Sequence, residues 1–293
     1  MSRNLIHLSI GVAIFIISFS FYLLNQPNNW AWSSLNICIN DSKPSNVKVA
    51  ILDTGINNTR INNNFVTKRY NAINNHNQIT TDSNHATQVA SIITYGEHKE
   101  KLIGISKSVS IYDVKVLDDN LKGDIDNIIK GITWSIKNDV KVLDDNLKGD
   151  IDNIIKGITW SIKNDVNIIH MSFGFQRYNK ELHDAIKNAK NKGIILVAAA
   201  GNNMDDYSDY PARFNEVYSI TAIDKNNKPF IYAPTKKIDF KAPGVDVYTK
   251  GSKDELLTVN GTSFAAAYFT AYLTNNLEFR NDLPHILKEY PIK

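Results

Sequence analysis

Four polar residues stand at the ends of apolar stretches, where they could act together on one ligand. Asp53 follows a strand-like run in VAILDTGI, and a carboxylate there is costly unless it is hydrogen-bonded. His85 begins a helix-like stretch in SNHATQVAS, and Asn202 ends the strand-like run ILVAAAGN. Ser263, in VNGTSFAAA, places a hydroxyl and a backbone N–H at a predicted helix start, where developing negative charge is favoured.

Each of these residues also has an ordinary structural explanation. Asp53 could form an Asx turn, Ser263 could be a simple helix N-cap, and His85 could merely open a helix. Asn202 could be a loop residue held by Gly201. Taken singly, each residue is better explained by structure. The order of the four residues and the identity of their neighbours, taken together, favour one shared functional site.

Strands and helices alternate along the chain from Val47 onward. The runs VKVAIL, SIYDVKVL, VNIIHMSFG and IILVAAAGN are typical of buried strands, and NHATQVASIITYG and KELHDAIKNAKNKG of helices. Continuous apolar strands alternating with helices predict an α/β fold with a parallel sheet covered on both faces. Ligands of such sheets bind at the carboxyl ends of strands, where DTG, SFG, AGN and NGTS fall.

Several stretches resemble those of the subtilisin-like serine proteases, or subtilases. ILDTGI, HATQVAS, AAAGN and NGTSFAAA resemble the four signatures of that family, and GISKSVSIYDVKVL, IIHMSFG, YPARFNEVYSITAID and KAPGVDVYT extend the likeness over residues 47–272. The resemblance implies a three-layer fold with a mainly parallel central sheet covered by helices. The order Asp, His, Ser separates the chain from α/β-hydrolases, whose triads run Ser, Asp, His and whose serine lies in G-x-S-x-G.

The resemblance implies a serine endopeptidase with an Asp-His-Ser triad. Ser263 would attack the peptide carbonyl, His85 would accept its proton, and Asp53 would fix the imidazole tautomer. Asn202 and the Ser263 backbone N–H would form the oxyanion hole. This chemistry needs no cofactor, although the sequence leaves a structural calcium ion open.

The resemblance also implies where a substrate would lie. Ser172, Phe173 and Gly174 correspond to the edge segment that pairs with an extended peptide, and Ala199, Ala200 and Gly201 would help to line the pocket for the residue before the cut. Three positions depart from the usual family pattern. Ala86 and Gln88 stand where Gly and His are usual, and Ala267 stands where Pro is common. None of these changes removes a triad group.

Composition excludes several classes of protein. The chain has 293 residues, 43% hydrophobic and 22% charged, with a net charge of +3, which is ordinary for a globular protein. It has no Lys/Arg block typical of nucleic-acid binding, and its one cysteine, Cys38, excludes an internal disulfide framework. DDNLKGDID matches no metal-binding loop, so no metal site is predicted. The expected partner is a peptide or protein substrate, bound by a monomer.

The N-terminal region predicts a membrane anchor. Residues 5–24 contain no Asp, Glu, Lys or Arg and are long enough to span a bilayer, and Arg3 favours a cytoplasmic N-terminus. We expect a single-pass protein of the cell membrane with its peptidase domain outside. The alternative is a cleaved signal peptide and a secreted enzyme. Residues 25–46 are predicted to form a linker and residues 47–293 the peptidase domain.

The same 26 residues, KVLDDNLKGDIDNIIKGITWSIKNDV, occur twice in tandem, at 115–140 and 141–166. The resemblance implies one strand–turn–helix unit here, so two identical copies indicate an in-frame duplication. We expect the spare copy to be looped out, with a loss of stability and altered cleavage. A second hypothesis is therefore a catalytically impaired, peptide-binding subtilase fold, inactivated by the duplication or by lack of a pro-domain. Two weaker possibilities are an inert extra helix and a tethered scaffold.

Overall fold

A seven-stranded parallel sheet forms the centre of the computed structural model, which describes residues 29–37, 47–57, 65–74, 76–98, 101–119, 166–277 and 282–292. Its strands are β1 (Lys48–Asp53), β2 (Val66–Asn71), β5 (Ser110–Lys115), β6 (Ile168–Met171), β7 (Ile195–Ala199), β8 (Tyr218–Ile223) and β9 (Phe240–Pro243). Their order in the sheet is β2-β5-β1-β6-β7-β8-β9, and every neighbouring pair is parallel.

Helices and two short antiparallel pairs surround the sheet. The pairs are β3 (Gly96–His98) with β4 (Lys101–Gly104), and β10 (Val247–Lys250) with β11 (Leu256–Val259). The helices in the described ranges are α1 (Trp30–Ser34), α2 (His85–Ile93), α3 (Lys180–Asn191), α4 (Thr262–Leu277) and α5 (Leu283–Lys288).

Both faces of the sheet are buried, as the continuous apolar strands predict. Val49 and Ile51 of β1 belong to one hydrophobic cluster, which they share with α1, α2, α4 and α5. Ala50 and Leu52 belong to a second cluster, which they share with α3. Because successive strand residues point to opposite faces, alternate residues of β1 contribute to the two cores. The predicted α/β fold, with its mainly parallel sheet between layers of helices, is confirmed.

Helix α4 is the central helix of the domain and places Ser263 near its start. It packs against β6, β7, β8, β9 and α2, and its residues from Thr262 to Thr274 are all buried. A helix that is apolar on every side suits such a fully enclosed position. Ala267, which stands where the family commonly has Pro, lies inside this helix, and the helix continues without a break to Leu277.

Helix α1 corrects the prediction that residues 25–46 form a linker throughout. Within that range, Trp30–Ser34 is helical, and Asn29 caps it by accepting a hydrogen bond from the Ala31 N–H at 3.0 Å. Trp32 is 1% exposed, and its Nε1 donates to the Ile103 carbonyl at 3.3 Å. Burial of this large aromatic ring in the protein core favours the packed helix over an extended linker.

Two predicted features fall largely outside the described residues. No helix in the described ranges is long and apolar enough to cross a membrane, and residues 5–24 lie outside those ranges. The tandem repeat also lies outside them, except for 115–119 of the first copy and Val166 of the second. The anchor and the looped-out copy both stay predictions.

Candidate active site

Asp53 is the last residue of β1, and its carboxylate is fully buried. The Thr54 N–H donates to its Oδ1 at 2.6 Å, and the His85 ring nitrogen Nδ1 lies 2.9 Å from both of its oxygens. An ionised carboxylate only accepts hydrogen bonds, so the imidazole presents its N–H from Nδ1. The other ring nitrogen, Nε2, is then the basic one.

His85 opens α2, so the helix fixes the position of the imidazole relative to the sheet. Burial lowers the pKa of this ring, but the charge of Asp53 and the hydrogen bond to it outweigh that effect, and the pKa is raised from 6.5. The ring lies 5.9 Å from the ring of Phe264, measured between centroids. Ala86, the unusual neighbour, is buried without disturbing this arrangement.

Ser263 lies across a cleft from this pair, at the N-terminal end of α4. The cleft has a volume of about 330 Å³, and His85, Ser263 and Asn202 all line it. The Ser263 hydroxyl donates to the Ser172 carbonyl oxygen at 3.3 Å. Within the described chain, therefore, its hydrogen-bond partner is a backbone oxygen and not the imidazole. A rotation about the Cα–Cβ bond is needed to turn the hydroxyl toward His85.

Asn202 lies three residues beyond the end of β7. Its Oδ1 accepts a hydrogen bond from the Thr262 N–H at 3.0 Å, which links it to the start of α4. This contact fixes which end of the amide carries the donors. The Nδ2 hydrogens are left on the side chain that lines the cleft, so Asn202 is able to donate to a ligand there.

The predicted substrate residues fall into two groups. Ser172, Phe173 and Gly174 line the same cleft as His85 and Ser263. Ala199 and Ala200 are buried, and they belong to the segment that leads from β7 into Asn202. The Gly201 N–H donates to the Thr262 Oγ1 at 3.1 Å, which ties this second group to α4. The structure therefore places the first group in the cleft and the second beside Asn202.

A buried histidine behind the cleft was missed by the sequence reasoning. His170 Nε2 lies 2.7 Å from the Ser172 Oγ, and its Nδ1 lies 2.9 Å from the Thr270 Oγ1. The Ser172 hydroxyl donates to the Ser263 carbonyl at 3.4 Å, so it accepts from the N–H of His170. Burial lowers the pKa of His170 to about 4, which keeps the ring neutral. This chain of bonds joins β6 to α4 directly behind Ser263.

A buried acid on the neighbouring strand was also missed. Asp113, on β5, is fully buried and accepts a hydrogen bond from Arg69 Nη1 at 2.8 Å. Both of its oxygens lie 3.1 Å from the Ile56 N–H, just beyond Asp53. Burial raises the pKa of Asp113 to about 7, although the Arg69 charge opposes this. An acid inside an apolar strand motif gives no sequence signal unless its cationic partner is known.

Lys115, the last residue of β5, also supports the turn that follows Asp53. Its ammonium group donates to the Thr54 carbonyl and to the Asp119 carboxylate, both at 2.7 Å. Asp53 and Lys115 are paired residues in the register of β1 and β5. The turn that follows Asp53 is thus held by charged side chains from β2 and β5. Within the described ranges, no group of three His, Cys, Asp or Glu side chains is arranged to hold a metal ion.

Comparison with known proteins shows the family of the chain. A model of the subtilase family matches residues 44–285. The chain belongs to the subtilase family. The subtilase match includes Asp53, His85, Asn202 and Ser263, and it covers most of the chain.

Individual subtilases match at moderate identity. The minor extracellular protease Epr of Bacillus subtilis is 29% identical over 228 residues, which are 77% of this chain but 31% of that protein. Subtilisin DY of Bacillus licheniformis is 29% identical over 231 residues, which are 77% of this chain and 74% of that protein. The thermostable alkaline protease of Halalkalibacterium halodurans is 30% identical over 190 residues, 64% of this chain and 45% of its own length. The chain thus spans about a third of the length of Epr and three quarters of subtilisin DY.

Proposed function

We propose that this subtilase is a serine endopeptidase that acts through Asp53, His85 and Ser263. The observation that carries the proposal is the contact between the buried Asp53 carboxylate and His85 Nδ1 at 2.9 Å, with the His85 imidazole lining the same cleft as Ser263. A carboxylate, an imidazole and a hydroxyl in this order are the parts of a nucleophilic triad. The relatives named above as proteases support the same activity.

The proposed reaction begins with attack of the Ser263 Oγ on the peptide carbonyl carbon. The serine proton passes to Nε2 of His85, and Asp53 stabilises the imidazolium that forms. The carbonyl oxygen becomes an oxyanion, which accepts hydrogen bonds from the Asn202 side chain and the Ser263 N–H. His85 then gives its proton to the leaving amine. Water, activated by His85 in turn, hydrolyses the acyl-enzyme and regenerates the serine.

In our proposal the peptide lies extended along Ser172, Phe173 and Gly174, and Ala199, Ala200 and Gly201 border the pocket for the residue before the cut. The first three residues line the cleft beside Ser263, which supports this assignment. Ser172 and Phe173 are buried while Gly174 is exposed, and we propose that the backbone of this segment pairs with a substrate strand. The proposed partner is a peptide or protein substrate, taken up by a monomer, and the proposed chemistry uses protein groups alone.

We also propose that residues 5–24 hold the enzyme at the outer face of the cell membrane. Their length and lack of Asp, Glu, Lys and Arg support a spanning helix. One similar protease is described as extracellular, in agreement with an exported catalytic domain. Removal of the segment would instead give a secreted form, and membrane fractionation before and after carbonate extraction separates the two cases.

Covalent labelling of Ser263 tests the peptidase proposal directly. A fluorophosphonate probe reacts with a serine whose hydroxyl is activated by a neighbouring base. We expect the full-length chain to be labelled, Ser263→Ala to be unlabelled, and His85→Ala to be labelled far more slowly. Folded wild-type protein that resists the probe as fully as Ser263→Ala would overturn the proposal.

One observation favours a second candidate function, a subtilase fold that binds peptides without cleaving them. The Ser263 hydroxyl is bonded to the Ser172 carbonyl and not to His85, so the triad is incomplete as it stands. Hydrogen bonds in such sites often tighten only when substrate is bound, which is why we favour the active enzyme. Peptide binding without labelling of Ser263 would establish the second candidate.

A further inference from the structure

Asp209 is a buried acid between the two segments that border the proposed substrate pocket. It is 8% exposed, and its N–H donates to the Ala200 carbonyl at 2.8 Å. The next residue, Tyr210, exchanges two backbone hydrogen bonds with Phe175, at 2.7 and 2.8 Å. The loop that carries Asp209 is therefore hydrogen-bonded both to the chain just after Ser172–Gly174 and to the segment Ala199–Gly201.

Two glycines make room for this carboxylate. A Cβ atom at Gly174 would lie 2.5 Å from the Cβ of Asp209, and one at Gly201 would lie 2.6 Å from its Oδ2. Gly201 also has a φ of +116°, which other residues rarely adopt. Any side chain at either position would collide with Asp209. The group between the two segments is therefore the Asp209 carboxylate, next to Gly174 of the cleft wall.

The charge of Asp209 is not balanced by an ion pair. Its hydrogen-bond donor is the neutral Asn203 amide, whose Nδ2 lies 3.1 and 3.4 Å from the two oxygens. Arg213 acts on it through space, but the Arg213 guanidinium lies over the rings of Tyr207 and Tyr210. Among the described residues, no lysine, arginine or histidine forms a salt bridge with this carboxylate.

A second acid increases the negative potential at this position. The Asp205 carboxylate shares the Asn203 amide, with Nδ2 at 3.1 Å, and also accepts from Gln176 at 2.9 Å. Burial of Asp209 raises its pKa, and the charge of Asp205 adds to that effect, while the Asn203 hydrogen bond opposes it. A buried carboxylate with one neutral donor is unfavourable unless a cation approaches it.

We propose that Asp209 makes the pocket selective for arginine or lysine as the residue before the cut. This inference rests on the proposed function, because the pocket is the one that the peptidase reaction would fill. A substrate guanidinium or ammonium group that enters between the segments 172–174 and 199–201 pairs with the Asp209 carboxylate and supplies its counter-charge. Arginine is favoured, because its planar fork donates two parallel hydrogen bonds to a carboxylate.

The competing possibility is an apolar pocket in which Asp209 is protonated. Such a pocket would accept leucine or methionine and would discriminate little between arginine and a neutral side chain of the same shape. Citrulline is that neutral side chain, because it differs from arginine by one carbonyl oxygen in place of a charged nitrogen.

The first experiment measures binding of benzamidine, a small amidinium probe, to the full-length Ser263→Ala protein by calorimetry. We expect binding that Asp209→Asn weakens about 10- to 100-fold, the value of one charge-assisted hydrogen-bonded pair. The matched control is Asp206→Asn, which removes the same charge from the same loop, where Asp206 is exposed and paired with Lys236. Equal binding by the two variants, or no binding to Ser263→Ala, would overturn the inference.

The second experiment needs no substitution at Asp209. Matched peptides with arginine, citrulline, lysine or norleucine before the cut are compared with the wild-type enzyme. We expect kcat/KM for arginine to exceed that for citrulline about 10- to 100-fold. Equal values for arginine and citrulline would contradict the inference even if Asp209→Asn failed to fold.

The two proposals fail in different ways. Benzamidine binding does not require a reactive serine, so binding without fluorophosphonate labelling rejects the peptidase proposal alone. Labelling of Ser263 by the fluorophosphonate, with neither benzamidine binding nor a preference for arginine, rejects the role of Asp209 alone.

Discussion

At the scale of single residues, the imidazole of His85 is set by two opposing influences. Its burial disfavours the charged form, while the adjacent Asp53 carboxylate favours it more strongly, so the pKa lies above 6.5. Catalysis requires the neutral form, because only that form accepts the serine proton. In the proposed peptidase, the loss of activity at acid pH is therefore set by the electrostatics of this one pair.

We expect kcat/KM to rise with pH and to reach half of its maximum above pH 6.5. Below that pH the ring is protonated and cannot act as a base. The measurement is hydrolysis of one peptide across pH 5–9. Asp53→Asn is the control, because it removes the charge that raises the pKa, and its remaining activity should have its acid limit at lower pH. A wild-type midpoint below 6.5 would contradict the assigned role of Asp53.

The sequence points to the four proposed site residues because their immediate neighbours carry the signal. DTG, NHATQ, AAAGN and NGTS are local motifs, so no knowledge of distant contacts was needed. His170, Asp113 and Asp209 were missed for the opposite reason. His170 and Asp113 have their decisive contacts far along the chain, such as Thr270 for His170, 100 positions away, and Asp209 packs against the distant Gly174 as well as against nearby residues. Nothing next to these three residues marks them as special.

At the scale of elements, strand β2 supports the turn that follows Asp53, and helix α1 completes one of the two cores. Strand β2 supplies Arg69 to Asp113, whose side chain in turn binds the backbone after Asp53. Helix α1 closes the core on the face of the sheet where α2 and α4 lie. The first contact is ionic and the second is apolar, so substitutions in them have different pH dependence.

We expect Arg69→Met to lower the free energy of unfolding by about 3–5 kcal/mol at pH 8, because it leaves a buried carboxylate unpaired. The folded pKa of Asp113, about 7, lies above the unfolded value of 3.8. Stability from this group is therefore lost as pH rises through 7, and the variant should recover part of its deficit at pH 5, where the carboxyl takes up a proton.

Chemical denaturation at pH 5 and pH 8 measures both values. Lys68→Met is the matched control, because Lys68 precedes Arg69 on the same strand, is exposed, and lies 5.5 Å from the ring of Tyr112. A deficit for Arg69→Met that is the same at both pH values, or no larger than that of Lys68→Met, would argue against the buried ion pair.

We expect Trp32→Ala to lower the free energy of unfolding by about 3–5 kcal/mol, since it removes a fully buried aromatic ring. Trp30→Ala should cost much less, because Trp30 is only partly buried and its Nε1 bonds a surface carbonyl, that of Asp246, at 3.3 Å. Denaturant titration of the two variants compares them. Similar small losses would mean that α1 is not part of the folded core.

The elements were predicted with unequal success. Strands β1, β5, β6 and β7 were recognised because they are continuous apolar runs, which is the pattern of a sheet buried on both faces. Helix α1 was missed because it has five residues between polar neighbours, too few for a helical period to show. Its burial depends on hydrogen bonds from Trp32 to Ile103 and from Asn29 to Tyr268, and these partners come near the helix only in the folded chain.

At the scale of the whole molecule, the order of the strands in the sheet requires a crossover connection where the tandem repeat lies. Strand β1 lies between β5 and β6, so the connection from β5 to β6 must cross over β1. The tandem repeat lies in this connection, which begins in the first copy and ends with the second. Because the copies are identical, a single copy would join β5 to β6 through the same first and last residues. The second copy adds 26 residues to the crossover without adding to its span.

Deletion of residues 141–166 should therefore raise the melting temperature and increase peptide hydrolysis. The entropy of closing a loop of this size is about 3 kcal/mol plus a constant, and the deletion relieves part of it. Thermal unfolding and cleavage of a broad peptide substrate compare the two proteins. Equal melting temperature and equal rate would refute the prediction and favour an inert extra helix.

The position of α1 also limits the distance between the domain and the lipid bilayer in the proposed anchored form. Only four residues, 25–28, separate the proposed anchor from Asn29, the first residue of the described domain. Fully extended, they span about 14 Å. Had the whole of 25–46 been free, the same tether would have allowed about 75 Å. An anchored form of the proposed peptidase would thus act close to the bilayer, on protein substrates that come near the membrane surface.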